Sequence, residues 1–132
     1  MYKVDQPYTG SATILLIEDD REQSKYLRFL LNKLNLNVVV CSTGEEALSS
    51  VQLYRVDACL CDINLQGNMS GFYVLDELRW SKHFSGKPVI AITDFNNQDQ
   101  RYSLFGKGFS DFIKKPVDLQ NLATVLDRHL PV

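Results

Sequence analysis

Ile14-Leu15-Leu16-Ile17-Glu18-Asp19-Asp20 decides the fold. From Ala12 the chain is apolar without alternation to Ile17, then turns acidic at once. A strand with one wet face alternates polar and apolar residues. A continuous apolar run marks a strand buried on both faces, in a parallel sheet covered by helices. Leu27, Leu30, Leu31 and Leu34 follow at the i, i+3, i+4, i+7 spacing of one helix face. Asp20 with Gln23 resembles a capping box that opens this helix.

The same alternation continues outward. Residues 37–41 form a second apolar run, and Thr43 with Glu46 opens a helix carrying Ala47, Leu48 and Val51. Residues 56–61 read as a third strand that ends at Asp62, followed by a loop at 66–71 and a helix with Phe72, Leu75 and Leu78 on one side. Residues 88–92 read as a fourth strand ending at Thr93. The polar stretch 96–100 leads into a helix that stops near Gly106 and Gly108. Residues 111–114 are a fifth strand, broken by Lys115-Pro116, and the last helix carries Leu119, Leu122, Leu126 and Leu130. Five strand–helix units predict an α/β, flavodoxin-like, doubly wound five-stranded parallel sheet with five helices in (βα)5. The order 2-1-3-4-5 puts strands one and three side by side at the switch point.

The chain's 132 residues are one domain's worth. Residues 1–11 are polar, with Pro7 and Gly10, and read as a flexible tail or linker remnant; the domain is expected over 12–132. Apolar residues at 45% and charged residues at 23% argue against disorder. Fourteen basic against sixteen acidic residues leave no cationic excess, which argues against direct nucleic-acid binding. No apolar run approaches the ~18 residues of a membrane span, and Met1 begins no signal peptide. Cys41, Cys59 and Cys61 are a poor disulfide framework, and no further ligands accompany the C-x-C pair to hold zinc. They read as packing residues of a protein in a reducing, cytoplasmic setting.

The polar residues fall at one place in this topology. Strand one ends in Glu18-Asp19, strand three in Asp62, strand four in Thr93 and strand five in Lys115. All of these ends lie on one edge of a doubly wound sheet. Three converging carboxylates repel one another and need a cation. Magnesium suits the set, since it takes one or two carboxylates, a carbonyl, and waters or phosphoryl oxygens. A metal facing an aspartate points to phosphoryl transfer onto that carboxylate, with the Lys115 ammonium and Thr93 hydroxyl as further donors.

Each residue also has a plain reading. Asp20 is an N-cap, Asp62 alone could open a turn, and Lys114-Lys115 alone could be a solvated pair. The joint placement at four strand ends is what favours chemistry. His83 and His129 keep the plain reading of surface residues, with His129 favouring a helix C-terminus. Trp80 and Tyr102 read as packing or partner contacts.

From about Ala12 to Leu130 the sequence resembles the receiver domain of bacterial two-component response regulators, such as single-domain chemotaxis regulators. The matching pieces are Ile14 to Asp20, Cys61-Asp62-Ile63-Asn64-Leu65 with Gly71, Val89 to Thr93, and Asp111 to Pro116. The resemblance implies that Asp62 accepts a phosphoryl group from a histidine kinase phosphohistidine, or from a histidine phosphotransfer domain. It implies magnesium on Asp19 directly, on Glu18 through water, on Asp62, and on the Asn64 backbone carbonyl. Thr93 is then the switch hydroxyl, Lys115 the ion-pair partner of Asp62, and Phe112 the switch aromatic, with a cis bond from Lys115 to Pro116. Such a domain assists its own phosphorylation and dephosphorylation and is not a turnover enzyme. Its signal passes to the surface of the fourth helix, fifth strand and fifth helix, and on to a downstream protein or output domain. No membrane or nucleic-acid partner is implied.

Some residues depart from the family pattern. Asp94 stands where a small residue is usual, so added negative charge is expected to hinder small phosphodonors. The loop 66–70 lacks the usual Pro and looks one residue longer, and Phe112 replaces the commoner Tyr. Phe95, two residues past Thr93, is expected to shield an acyl phosphate from water. The competing reading is a pseudo-receiver, a protein-binding module that keeps the fold but is not regulated by phosphorylation. A flavodoxin would need a hydroxyl-rich loop after strand one, and a haloacid-dehalogenase phosphatase an Asp-x-Asp after its first strand; neither is present. The chain reads either as a stand-alone regulator or as a receiver from a larger regulator or hybrid kinase.

Overall fold

In a computed structural model, the described residues are 12–64, 70–94, 103 and 105–130. The sheet has five parallel strands: β1 (Thr13–Ile17), β2 (Asn37–Cys41), β3 (Ala58–Asp62), β4 (Val89–Thr93) and β5 (Asp111–Lys114). Their order is β2-β1-β3-β4-β5, as the sequence predicts. Every residue of β1, β3 and β4 is buried, which is why those segments read as unbroken apolar runs.

Four helices are formed among the described residues, where five were expected: α1 (Arg21–Lys33), α2 (Gly44–Leu53), α3 (Gly71–Trp80) and α4 (Leu119–His129). The expected helix between β4 and β5 lies mostly outside the described residues, and only Ser103, Phe105 and Gly106 near its end are seen in helical conformation. The expected tail at 1–11, most of the 66–70 loop, Phe95 and Tyr102 also lie outside them. β3 starts at Ala58, two residues later than expected. Asp57 instead spends its carboxylate on the Thr13 amide, 2.8 Å away, and ties β1 to the entry of β3.

The helix starts follow the cap residues. Asp20 accepts from the amides of Glu22 and Gln23 at the head of α1. Thr43 accepts from Glu46, and the Glu46 carboxylate reaches back to the Ser42 amide at 2.6 Å. Ser70 and Asp118 cap α3 and α4 in the same way.

The sheet separates two apolar layers. Cys41, Cys59, Cys61 and Phe84 pack with Ala47 and Val51 of α2 and with Val74, Leu75 and Leu78 of α3 on one face. Leu27, Leu30 and Leu31 of α1 and Leu122, Val125 and Leu126 of α4 cover Ile14, Leu16, Leu60, Ile90 and Ile92 on the other. Leu119, expected on the buried stripe, is exposed at the first turn of α4. No described helix is long and apolar enough to cross a membrane.

Candidate functional site

Strand register brings the expected residues together. Ile17 of β1 pairs with Cys61 of β3, so Glu18 and Asp19 leave the sheet beside Asp62. Asp62 pairs with Ile92, and Thr93 with Lys114, which sets Thr93 and Lys115 on the same rim. The Lys115 amide donates to the Thr93 carbonyl at 2.7 Å, and the Lys115–Pro116 peptide is cis. β1 and β3 are neighbours whose connections run to opposite sides, so the rim between them is the switch-point crevice of the fold.

Asp62 is 4% exposed. Its Oδ2 accepts from Lys115 Nζ at 2.9 Å and its Oδ1 from the Asn64 amide at 2.9 Å. Glu18 is 2% exposed. Its Oε2 accepts from the Asp20 amide at 3.2 Å, whereas Oε1 is buried with no hydrogen-bond partner among the described residues. Burial pushes the Glu18 carboxyl up to about 7; the Asp20 amide pulls against that, and the charge of Asp62 reinforces it.

Carboxylate oxygens of Glu18, Asp19 and Asp62 lie within 4.8 Å of one another. Three acids with one orphaned lone-pair donor, and oxygen as the only donor type, suit a hard divalent cation such as magnesium. Burial works against the Lys115 charge. The Asp62 bond and the charges of Asp62, Glu18 and Asp94 outweigh it, and its pKa rises. The ammonium is therefore held charged, and exposed Asp94 is part of the rim's field. Cys61 is no rival nucleophile: burial, with Asp62 and Glu18 nearby, pushes its thiol far up.

Thr93 is fully buried. Phe112 is half-buried on β5, and its ring meets Phe105 edge-on with centroids 6.1 Å apart. Gly71, noted in the sequence only as part of a family motif, has a local reason. A Cβ there would lie 2.5 Å from Ile63 Cα and 2.9 Å from the Asp62 carbonyl oxygen.

Two plain readings need revision. His129 is not a simple surface residue: its Nε2 sits 3.0 Å from Asp111 Oδ2, where Arg128 Nη1 also arrives at 3.0 Å. The Asp111–Arg128–His129 cluster went unnoticed because its members are 17 and 18 residues apart and carry no motif. Trp80 is 86% exposed, which leaves partner contact and removes packing. His83 is exposed, as expected.

The sequence profile of the response regulator receiver domain family matches residues 14–127. The chain is 28% identical over 119 residues to the signal transduction histidine-protein kinase BarA of Escherichia coli K12, spanning 90% of this chain but 13% of the kinase. It is 32% identical over 103 residues to the cell cycle transcriptional regulator CtrA of Caulobacter vibrioides, covering 78% of this chain and 43% of that protein. Among solved structures, the receiver domain of a Pseudomonas aeruginosa PAO1 sensor histidine kinase is similar with a TM-score of 0.81 and 28% identity, covering 91% and 98% of the two chains. That structure has a magnesium ion coordinated in its active site cleft. The Vibrio cholerae chemotaxis protein CheY4 shares the fold at a TM-score of 0.83 with 22% identity, covering 92% and 100%.

Proposed function

This chain belongs to the response regulator receiver domain family, and from that premise we propose that it is a phosphoryl-accepting switch of a two-component system with Asp62 as acceptor. The observation that carries this reading is the buried Asp62 carboxylate, held between the Lys115 ammonium and the Glu18–Asp19 acids.

Magnesium fits the acidic cluster: Asp19, Asp62 and the Asn64 backbone carbonyl would hold it directly, with Glu18 through water. When bound, it offsets charge on the carboxylates and on the phosphoryl oxygens. Asp62 is the nucleophile. One carboxylate oxygen forms a bond to phosphorus as the bond from phosphorus to the donor imidazole nitrogen breaks, and the electron pair leaves with the imidazole. Each Asp62 oxygen accepts one hydrogen bond and keeps a second lone pair with which to meet the incoming phosphorus. Lys115 then neutralises the transferred group.

The buried Thr93 hydroxyl lies on the adjacent strand end and supplies a further donor to the phosphoryl oxygens. Its shift toward them frees volume next to β5, and Phe112 turns inward from its edge contact with Phe105. The readout face is then the surface around β5 and its flanking helices, a two-state element biased by one covalent group. The donor is a histidine kinase or phosphotransfer domain, and the receiver of the signal is a downstream protein or output domain. Three reduced, buried cysteines suit a cytoplasmic setting.

Intact-protein mass spectrometry after incubation with acetyl phosphate and magnesium tests this. One phosphoryl adduct mapping to Asp62, absent from Asp62→Asn and from chelator-treated protein, is expected. No adduct from acetyl phosphate or from any histidine donor would overturn the assignment in favour of a pseudo-receiver.

A further inference from the structure

The opposite rim of the sheet holds a shallow, polar depression. Arg79, Gly86, Lys87, Ser110, Arg128 and His129 line an open depression of about 360 Å³ there. Arg79 ends α3 and Lys87 precedes β4, so this depression lies at the strand starts, away from Asp62.

Its lining is rich in donors and poor in acceptors. Arg79 Nη1 donates to the Lys87 carbonyl at 2.6 Å, and Nη2 to the Gly108 carbonyl at 3.0 Å. Lys87 Nζ donates to the Val56 carbonyl at 2.6 Å. Both cations are thus oriented by neutral backbone oxygens, and among the described residues neither has a carboxylate partner. Each keeps donors in reserve, since an ammonium has three and a guanidinium five. Ser110 Oγ accepts from the Val89 amide at 3.1 Å and from Arg79 at 3.4 Å, which leaves its O–H free to donate. Asp111, at the start of β5 beside the depression, is already shared by Arg128 and His129. Gly86 has a φ of 85°, and a Cβ there would meet nothing within 4 Å, so that wall opens onto free space.

A chain with a net charge of −2 has therefore gathered Arg79, Lys87 and Arg128 around one depression, with Arg128 paired to Asp111. We propose that this depression is a binding site for a small phosphomonoester, whose dianionic head sits among Arg79, Lys87, Arg128 and the Ser110 hydroxyl. Guanidinium and ammonium groups with a hydroxyl donor are the usual recognition set for a phosphoryl dianion. The ligand would compete with Asp111 for Arg128, and Asp111 is the first residue of β5. Occupancy thus loosens the far end of the strand that leads to Lys115.

Amide NMR on the Asp62→Asn variant without magnesium tests this with the acceptor site disabled, so the result stands apart from the phosphoacceptor reading. Inorganic phosphate, ribose 5-phosphate and free ribose are titrated at constant ionic strength. Saturable shifts at Gly86, Lys87, Ser110 and Asp111 are expected with both phosphates and none with ribose. Arg128→Gln weakens binding by about tenfold, and Lys87→Gln, which leaves the Asp111 pair intact, does the same. Arg79→Lys, which keeps the charge but loses the fork, retains part of it. Non-saturating shifts, shifts spread over all lysines, equal response to chloride, or phosphate binding that ribose 5-phosphate cannot match would each overturn the proposal.

Discussion

The Cβ that Gly71 lacks would fall 2.5 Å from the Cα of Ile63, so the first residue of α3 lies directly against the backbone that carries Asp62. Both contacts are backbone, which cannot swing aside as a side chain could. Gly71→Ala is therefore expected to destabilise the fold by about 1–3 kcal/mol and to displace Asp62. Urea unfolding gives the first quantity, and the rate of acetyl phosphate labelling gives the second. A variant with unchanged stability and labelling would contradict the close approach.

Glu18 buries an oxygen that no donor reaches. Glu18→Gln replaces a strained charge with a neutral amide, so the metal-free variant is expected to be more stable than wild type, by on the order of 1 kcal/mol. Its magnesium affinity falls, because one carboxylate is gone. Thermal melts with chelator and with saturating magnesium should cross over, wild type gaining more from the metal. A saturating ligand at about 100 times its Kd adds roughly 2.7 kcal/mol.

Lys115 and a divalent cation compete for one carboxylate, since Nζ lies 2.9 Å from Asp62 Oδ2. Lys115→Gln removes the competitor, so magnesium should bind more tightly than to wild type. The same variant lacks the cation that the phosphoryl group would pair with, and Phe112 should no longer respond to beryllofluoride. Calorimetry reads the first effect and aromatic NMR the second; weaker magnesium binding would count against the competition.

Asp94 adds negative charge to the rim and is exposed, so its field is partly screened. Asp94→Ala should speed labelling by acetyl phosphate up to about fivefold, the factor that ~1 kcal/mol of repulsion represents. The gain should shrink as salt is added. A rate independent of both charge and salt would show that Asp94 does not limit the donor.

Burial pushes the Asp111 carboxyl up, but hydrogen bonds from His129, the Phe112 amide and Arg128, with the charge of Arg128, outweigh it. The folded value lies below the ordinary 3.8. A carboxylate depressed by folding stabilises the native state above its unfolded pKa, and that stability drains as the pH falls from about 3.8 through the folded value. Asp111→Asn should lose this portion of the acid transition, while wild type keeps it. Denaturation midpoints from pH 6 to pH 3 would reveal parallel curves if the cluster carried no linkage.

The strand ends were legible because a two-sided buried strand announces its end by the first charged residue. Ile17 before Glu18 and Cys61 before Asp62 each did so, whereas β4 closes on the uncharged Thr93. The alternation of elements implied a parallel sheet, whereas the order 2-1-3-4-5 was one of the two common doubly wound arrangements. The start of β3 was misplaced because Val56 is as buried as the strand itself, although it precedes it. His129 and Arg128 could not be matched to Asp111 from spacing, because their meeting depends on where α4 crosses β5. The reason for Gly71 was hidden too, since close backbone approach leaves no trace in composition.

β5 is held at its first residue by Arg128 and His129, and the residue just past its end is bonded to Asp62. It is also an outer strand with β4 as its one neighbour in the sheet. Between the two tethers lie Phe112 and Ile113, of which Ile113 is buried in the core and Phe112 is half-buried. A single strand of four residues thus joins the two margins of the sheet, with one aromatic ring between them.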